Sequence, residues 1–330
     1  MQVVLQSCDL ADDYVQFAAQ IGADGFDIGP RNPELVPGVV EQGYADEHQM
    51  RALIERLRRR GLRLYRVTTM PPVRYLLDLP GGDAEVDDLC RTVEALGRAG
   101  VPFTSVTMDY IHPLPDATRE AVLPYRYRDG VHRGGYTMPA VDVAELPRDH
   151  VPDPPPVEVE AYFERCVKLY ERLMPIAEEH DIRLILHPSD PPLPDAPFSP
   201  RRWSRILDAV PSTHNGLLYD TGVRHEAGVD VEADIAHYGK RGKIFHVHFR
   251  NVRGSIPTDG GYEEVALDDG DLDMLRMLRA FKRVGYDGGL QVDHLPRFVG
   301  DEDQYQWRAT AYAVGYIRAL LAALESEERT

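Results

Sequence analysis

The sequence predicts a closed, parallel (β/α)₈ barrel, and three observations carry that expectation. Eight short apolar runs alternate with eight helical patterns, and such alternation calls for a parallel sheet covered by helices. Eight repeats fit a barrel better than an open sheet. The last four runs each finish on a residue able to bind a metal: His187 after Leu184–Leu186, Asp220 after Gly216–Tyr219, His248 after Lys243–Val247 and Asp293 after Gly289–Val292. A parallel barrel gathers its strand ends on one face, where active sites of this fold lie. An open doubly wound sheet is the alternative. Against it, no Gly-x-Gly-x-x-Gly follows the first run and no phosphate-cradling Gly-x-x-x-x-Gly-Lys occurs.

Taken in order, residues 3–6 predict the first strand and residues 9–21 a helix with Asp9 as its N-cap. Residues 25–28 predict the second strand, and a Pro/Gly-rich loop runs to Gly43. An amphipathic helix over 46–60 sets Met50, Leu53, Ile54 and Leu57 on one side. Strand 62–68, helix 83–97 and strand 104–108 follow. A long helix over 157–179 turns Leu169, Leu173 and Ile176 inward. The four metal-residue strands are then separated by helices near 201–209, 231–239 and 272–284, and a helix over 304–324 ends the chain.

Composition narrows the function. Hydrophobic residues make up 43%, charged residues 28%, and the formal net charge is −17. A chain this acidic is a poor partner for nucleic acid or an anionic membrane surface. Three widely spaced cysteines, Cys8, Cys90 and Cys166, form neither a disulfide framework nor a zinc knuckle, and Cys166 falls in a helical core pattern. No apolar run reaches membrane-spanning length. The start, Met1-Gln2-Val3-Val4-Leu5, reads as a strand without the basic segment of a secretory signal, so a cytoplasmic protein is expected.

The expected organisation is one barrel domain over 1–330 with two long insertions. Residues 109–156 carry Tyr110, His112, Tyr125, Arg126, Tyr127, Arg128, His132, Arg133 and Tyr136. Residues 250–270 carry Arg250, Asn251, Arg253 and Tyr262. Both follow strands, so both should cover the active-site face, and their Arg and Tyr content suits a polar, anionic small molecule. A surface loop or an oligomer contact is the bland alternative.

His187, Asp220, His248 and Asp293 supply two imidazoles and two carboxylates. That set suits a Mn²⁺-like divalent ion, with Mg²⁺, Fe²⁺, Co²⁺ or Zn²⁺ as alternatives. Such an ion would act as a Lewis acid on a substrate hydroxyl or carboxylate. Strand periodicity turns His246, His248 and Arg250 to one face and sets Gln291 with Asp293. His214 and His225 read as turn or loop residues. Asp190 lies in the Pro-rich turn after His187, where it orients the turn or meets substrate.

At this point the sequence resembles a known family. His187-Pro-Ser-Asp-Pro-Pro, Asp220-Thr-Gly, Val247-His-Phe-Arg-Asn-Val252, Asp269-Gly-Asp-Leu-Asp-Met274 and Val292-Asp-His294 look like the successive motifs of D-mannonate dehydratases. These enzymes belong to the xylose-isomerase-like barrels, remove water from D-mannonate to give 2-keto-3-deoxygluconate, and use Mn²⁺ or a similar ion. The match runs from about Arg183 to the final helix. The resemblance implies metal ligation by His187, His248 and Asp293. Asp220 stands where the family has a cysteine, which makes the site harder and less thiophilic. The family's Arg-Trp-Tyr-Gly segment after the first strand is replaced by Gln6-Ser7-Cys8-Asp9, and a family tyrosine falls on Ala311, beside Tyr312.

The expected reaction takes the C2 proton and expels the C3 hydroxyl of a sugar acid. His294 and His246 are the acid/base candidates because imidazole titrates near neutrality. Arg250 is expected to grip the substrate carboxylate, and Asn251, Asp190 and Tyr312 to line the substrate. A homo-oligomer is an expectation of the resemblance alone. Two other classes stay open: a metal-dependent sugar isomerase or epimerase on the same barrel, and a non-catalytic barrel that has lost its metal.

Overall fold

The computed structural model describes all residues except 8, 30–32, 107, 109–127, 146–158, 195, 201, 328 and 330. Tyr110, His112, Tyr125, Arg126 and Tyr127 of the first insertion therefore lie outside the described residues.

Twelve strands are described in chain order: β1 Gln2–Ser7, β2 Gly25–Ile28, β3 Arg63–Thr69, β4 Phe103–Val106, β5 Arg128–Val131, β6 Thr137–Asp142, β7 Arg183–Leu186, β8 Asn215–Asp220, β9 Ile244–Phe249, β10 Asn251–Arg253, β11 Gly261–Val265 and β12 Gly289–Val292. Eight of them close a barrel in the order β1-β12-β9-β8-β7-β4-β3-β2. All its neighbours are parallel, and β1 pairs with both β2 and β12 to seal it. The predicted (β/α)₈ barrel is therefore the observed fold.

The helices form for the reasons the sequence gives. Asp46 caps Glu47–Arg58 by accepting from the Gln49 amide, and Met50 and Leu57 of that helix are fully buried. Asp230 and Asp273 cap the helices Val231–Lys240 and Met274–Arg283 in the same way. The helix Val159–Glu179 buries Cys166, Leu169, Tyr170 and Leu173, with Ile176 packed beside them. Asp9 is not the cap of the first helix. Asp12–Gln20 starts after Ala11 with no side-chain cap. Asp9 instead accepts from the Ala11 amide and from Gln304 and Tyr305, tying the first loop to the last.

The two insertions build a structure that periodicity did not predict. β5, β6, β10 and β11 form a second, antiparallel sheet in the order β10-β11-β6-β5. β5 and β6 come from the first insertion, and β10 and β11 from the segment after β9. Tyr262 of β11 pairs with Val141 of β6, and Val252 of β10 pairs with Glu264 of β11. A small apolar cluster of Tyr136, Met138 and Ala266, with Phe298 and Tyr312 against it, seats this sheet beside the barrel. No helix among the described residues is long and apolar enough to cross a membrane.

Candidate metal centre and its surroundings

Register brings the predicted metal residues together. In β8 and β9 the pairing shifts between Leu217 and Leu218, so that Asp220 lies beside His248. Such an irregularity re-aims the side chains that follow it. On its other side His248 pairs with Gln291 of β12, one strand turn below Asp293. His187 follows β7, the other neighbour of β8.

The resulting distances are short. His187 Nε2 lies 3.5 Å from Asp220 Oδ2. His248 Nδ1 lies 3.4 Å from the same oxygen and 3.1 Å from Asp293 Oδ2. His187, Asp220 and His248 each offer a donor atom within 4.8 Å of the others'. His248 Nδ1 is buried and lacks a hydrogen-bond partner, although it faces two carboxylate oxygens. A buried nitrogen in that position is costly unless something accepts its lone pair. Two imidazoles and two carboxylates around such an atom fit a divalent cation. Burial opposes the charge on Asp220, but Arg250, then His187 and His248, hold it well below the usual carboxylate range. Burial likewise opposes ionised Asp293, and His248 and His294 outweigh it. Both carboxylates are thus ready as anionic donors.

Beside this set lies a second cluster, organised by Arg250. The Asp220-Thr221-Gly222 turn makes room for it. Thr221 Oγ1 accepts from the Arg250 amide at 3.0 Å, and a Cβ on Gly222 would come within 2.8 Å of the Arg250 side chain. The guanidinium, 2% exposed, reaches Asp190 at 2.8 Å, Asp220 and Glu226 at 3.0 Å, and Glu264 at 3.2 Å. Asp190, Glu264 and His294 also have metal-ligand spacing. Arg250 already supplies their counter-charge, so a second cation there would be repelled. Burial, aided by the like charges of Asp190, Asp220 and Glu264, pushes the Glu226 carboxyl well up despite Arg250.

His294 bridges the two clusters. Its Nδ1 is 2.8 Å from Glu264 Oε1, and its Nε2 is 3.8 Å from Asp293 Oδ2. Burial disfavours its charge, but Glu264 and then Asp293 outweigh this and raise its pKa to about 9. The charged form of His294 is thereby favoured, although its side chain is 37% exposed.

Several expected roles change. His246 lies on the barrel floor with no exposed surface, bonded to Asp27 Oδ2 at 2.7 Å. Burial lowers its pKa despite Asp27. Arg250 is committed to protein carboxylates and is not a free grip for a substrate. Asn251 is 2% exposed, and its amide holds Leu267 and Leu272 backbone groups, closing the turn after β11. Asp190 reaches the Arg250 cluster, but its oxygens serve Arg250 and Tyr262. Tyr312 packs against Phe298 at 5.6 Å in the cluster that seats the added sheet.

Four residues that sequence reasoning missed support the site. Arg66 bonds Asp27 at 3.2 Å, Thr68 at 2.8 Å, Ser105 at 3.1 Å and Gln291 at 2.8 Å, and Gln291 donates to Asp293 at 3.1 Å. This chain links the floor to the metal set. Arg66 and Asp27 were legible as charges inside apolar strands. Glu226 and Glu264 gave no such signal, because one lies in a short helix and the other in an unpredicted strand.

Residues 125–330 match the model of the D-mannonate dehydratase (UxuA) family. The chain belongs to the D-mannonate dehydratase family. The mannonate dehydratase of Thermotoga maritima is 27% identical over 290 residues, covering 77% of this chain and 79% of that protein. The crystal structure of mannonate dehydratase from Streptococcus suis serotype 2 superposes with a TM-score of 0.77 at 21% identity, over 97% of this chain and 93% of that one. The IOLI protein, solved with a binding zinc atom, shares the barrel at a TM-score of 0.62 and 14% identity, over 99% of both chains. The family match spans β7, β8, β9 and β12, and so the whole metal set and His294.

Proposed function

We propose that this chain is a metal-dependent hydro-lyase that converts D-mannonate, or a closely related aldonate, to the 2-keto-3-deoxy acid. The observation that carries the reading is the convergence of His187, Asp220, His248 and Asp293 beside His294, in a chain of the dehydratase family. His187, Asp220, His248 and Asp293 would hold the ion, with Mn²⁺ the first expectation for this oxygen- and nitrogen-rich set. When bound, a divalent ion supplies Lewis acidity that makes the C2 proton easier to remove.

The chain's own residues do the rest. His294 presents Nε2 toward Asp293, with Nδ1 held by Glu264, and in this reading it is the donor to the departing C3 hydroxyl, which leaves as water. The C2 proton passes to solvent and the C3 hydroxyl leaves with the His294 proton as water; the resulting enol gives up its hydroxyl proton and takes one at C3 to become the 2-keto acid, and solvent returns a proton to His294. Arg250 and its carboxylates form the buried wall beside His294.

The test is incubation of the Mn²⁺-loaded protein with D-mannonate and a panel of aldonates, read by mass. Loss of one water, abolished in His294→Asn, is the expected result. Unchanged mass with a new retention time would replace the reading by an isomerase or epimerase. No product from any substrate, with metal bound, would overturn it.

A further inference from the structure

Within the Arg250 cluster, Asp190, Asp220, Glu226 and Asp293 sit in or next to barrel elements. Glu264 alone arrives from the added sheet, on β11. It is 1% exposed. We propose that Glu264 is a positioning residue: it grips His294 at Nδ1 and thereby aims Nε2 at the reacting face beside Asp293. This rests on the reading above that His294 delivers the proton.

Three features carry the proposal. The His294 backbone has φ 34°, in the left-handed region that costs an L-residue about 1–2 kcal/mol. Such a backbone persists only where its surroundings over-determine it. The ring meets two groups through Nδ1, Glu264 Oε1 at 2.8 Å and Arg250 Nη1 at 3.4 Å. Arginine only donates, so the Nδ1 proton belongs to Glu264. Finally, Arg250 does not need Glu264 for neutrality, because Asp190 and Asp220 already lie within 3.0 Å of it. A carboxylate serving only as a counter-ion would be redundant here. The distinctive contact of Glu264 is with His294.

β11 is held between β10 and β6, with Val252 opposite Glu264 and Ala140 opposite Glu263. The added sheet therefore sets the height of the Glu264 carboxylate. The pairing of imidazole with a fixed carboxylate is a general way to orient a ring for proton transfer.

The experiment uses the full Mn²⁺-loaded chain and the variants Glu264→Gln and Glu264→Leu, with kinetics on D-mannonate, metal content, melting temperature and a crystal structure of each. An amide oxygen still accepts from Nδ1, so Glu264→Gln should keep kcat within about 10-fold and leave the ring in place. Glu264→Leu should lose about 100-fold or more in kcat, with KM changed less than about 3-fold, metal content unchanged and the ring rotated. If Glu264→Leu fails to fold, Glu264→Asp replaces it: the charge stays, the carboxylate retreats by one methylene, and kcat should fall while the fold holds. An unmoved ring with near-normal kcat in the Leu variant would overturn the proposal. So would a joint fall of metal content, melting temperature and activity, which marks a merely structural residue. If the wild type leaves D-mannonate untouched, the functional reading fails, and the ring position in the two variant structures decides the role of Glu264 independently.

Discussion

Arg250→Met removes one cation from among Asp190, Asp220, Glu226, Glu264 and Asp293, the last at 3.9 Å. Methionine approximates the arginine stem, so the change is mainly electrostatic. Breaking a buried ion pair from one side costs about 3–5 kcal/mol, because the partner charge is left behind in a poorly solvated site. A chain of 330 residues has an unfolding entropy of roughly 0.7 kcal/mol/K at ~2.1 cal/mol/K per residue, so the melting temperature should fall by about 4–7 °C. The variant should also respond to protons in a characteristic way. Its stranded carboxylates have folded-state pKa values above their unfolded ones, so stability recovers as pH falls from 8 toward 5. Divalent metal should raise the melting temperature more in the variant than in the wild type, since Asp220 and Asp293 are the proposed ligands in both and lose the Arg250 charge only in the variant. Differential scanning calorimetry of both proteins, with and without Mn²⁺ at two pH values, tests all three statements. A loss under about 2 °C that ignores pH and metal would show that Arg250 is not the counter-ion of this cluster.

The metal-free wild type should lose stability as pH rises from about 6.5 through about 9, because the raised His294 pKa contributes fully only below its unfolded value. A melting series over that range should show the step, and His294→Asn should lack it. His187→Ala and His248→Ala should each bind less than half the wild-type Mn²⁺ at equal free metal, by elemental analysis of dialysed protein, while far-ultraviolet circular dichroism stays unchanged. Gly289→Ala should destabilise by about 1–3 kcal/mol in urea titration, since a Cβ there would stand 2.6 Å from His246 Cε1 and 3.0 Å from Val4 Cγ2.

The barrel was legible because its strands are short, apolar and regularly interrupted by helices, and because nothing in that pattern depends on distant contacts. The convergence of His187, Asp220, His248 and Asp293 followed from the same regularity, since strand ends of a parallel barrel share a face. Side-chain direction was less accessible. His246 and His248 share a face of β9, as the two-residue period requires, yet one side chain faces the floor network and the other the metal set. Period alone gives no depth along the barrel axis. Arg250 misled for another reason: a strand-end arginine suits a substrate anion, and only the fold reveals four protein carboxylates around it. The added sheet was illegible because its central ladder, β6 with β11, joins segments more than a hundred residues apart, and β10 has only three residues. Local periodicity cannot register such a partnership.

The sheet order β10-β11-β6-β5 has a consequence for anyone recombining this chain with a relative. Loops on a barrel face are usually treated as separate cassettes, each replaceable on its own scaffold strand. Here β6 and β11 are two halves of one ladder, and Arg133 also clasps Asp268 across the same seam. Replacing either insertion singly would leave an unmatched strand edge above the barrel and shift Glu264 with it. The two segments behave as one heritable unit written in two places. Chimeras that respect the seam by exchanging both together should fold, and those that cut along it should not.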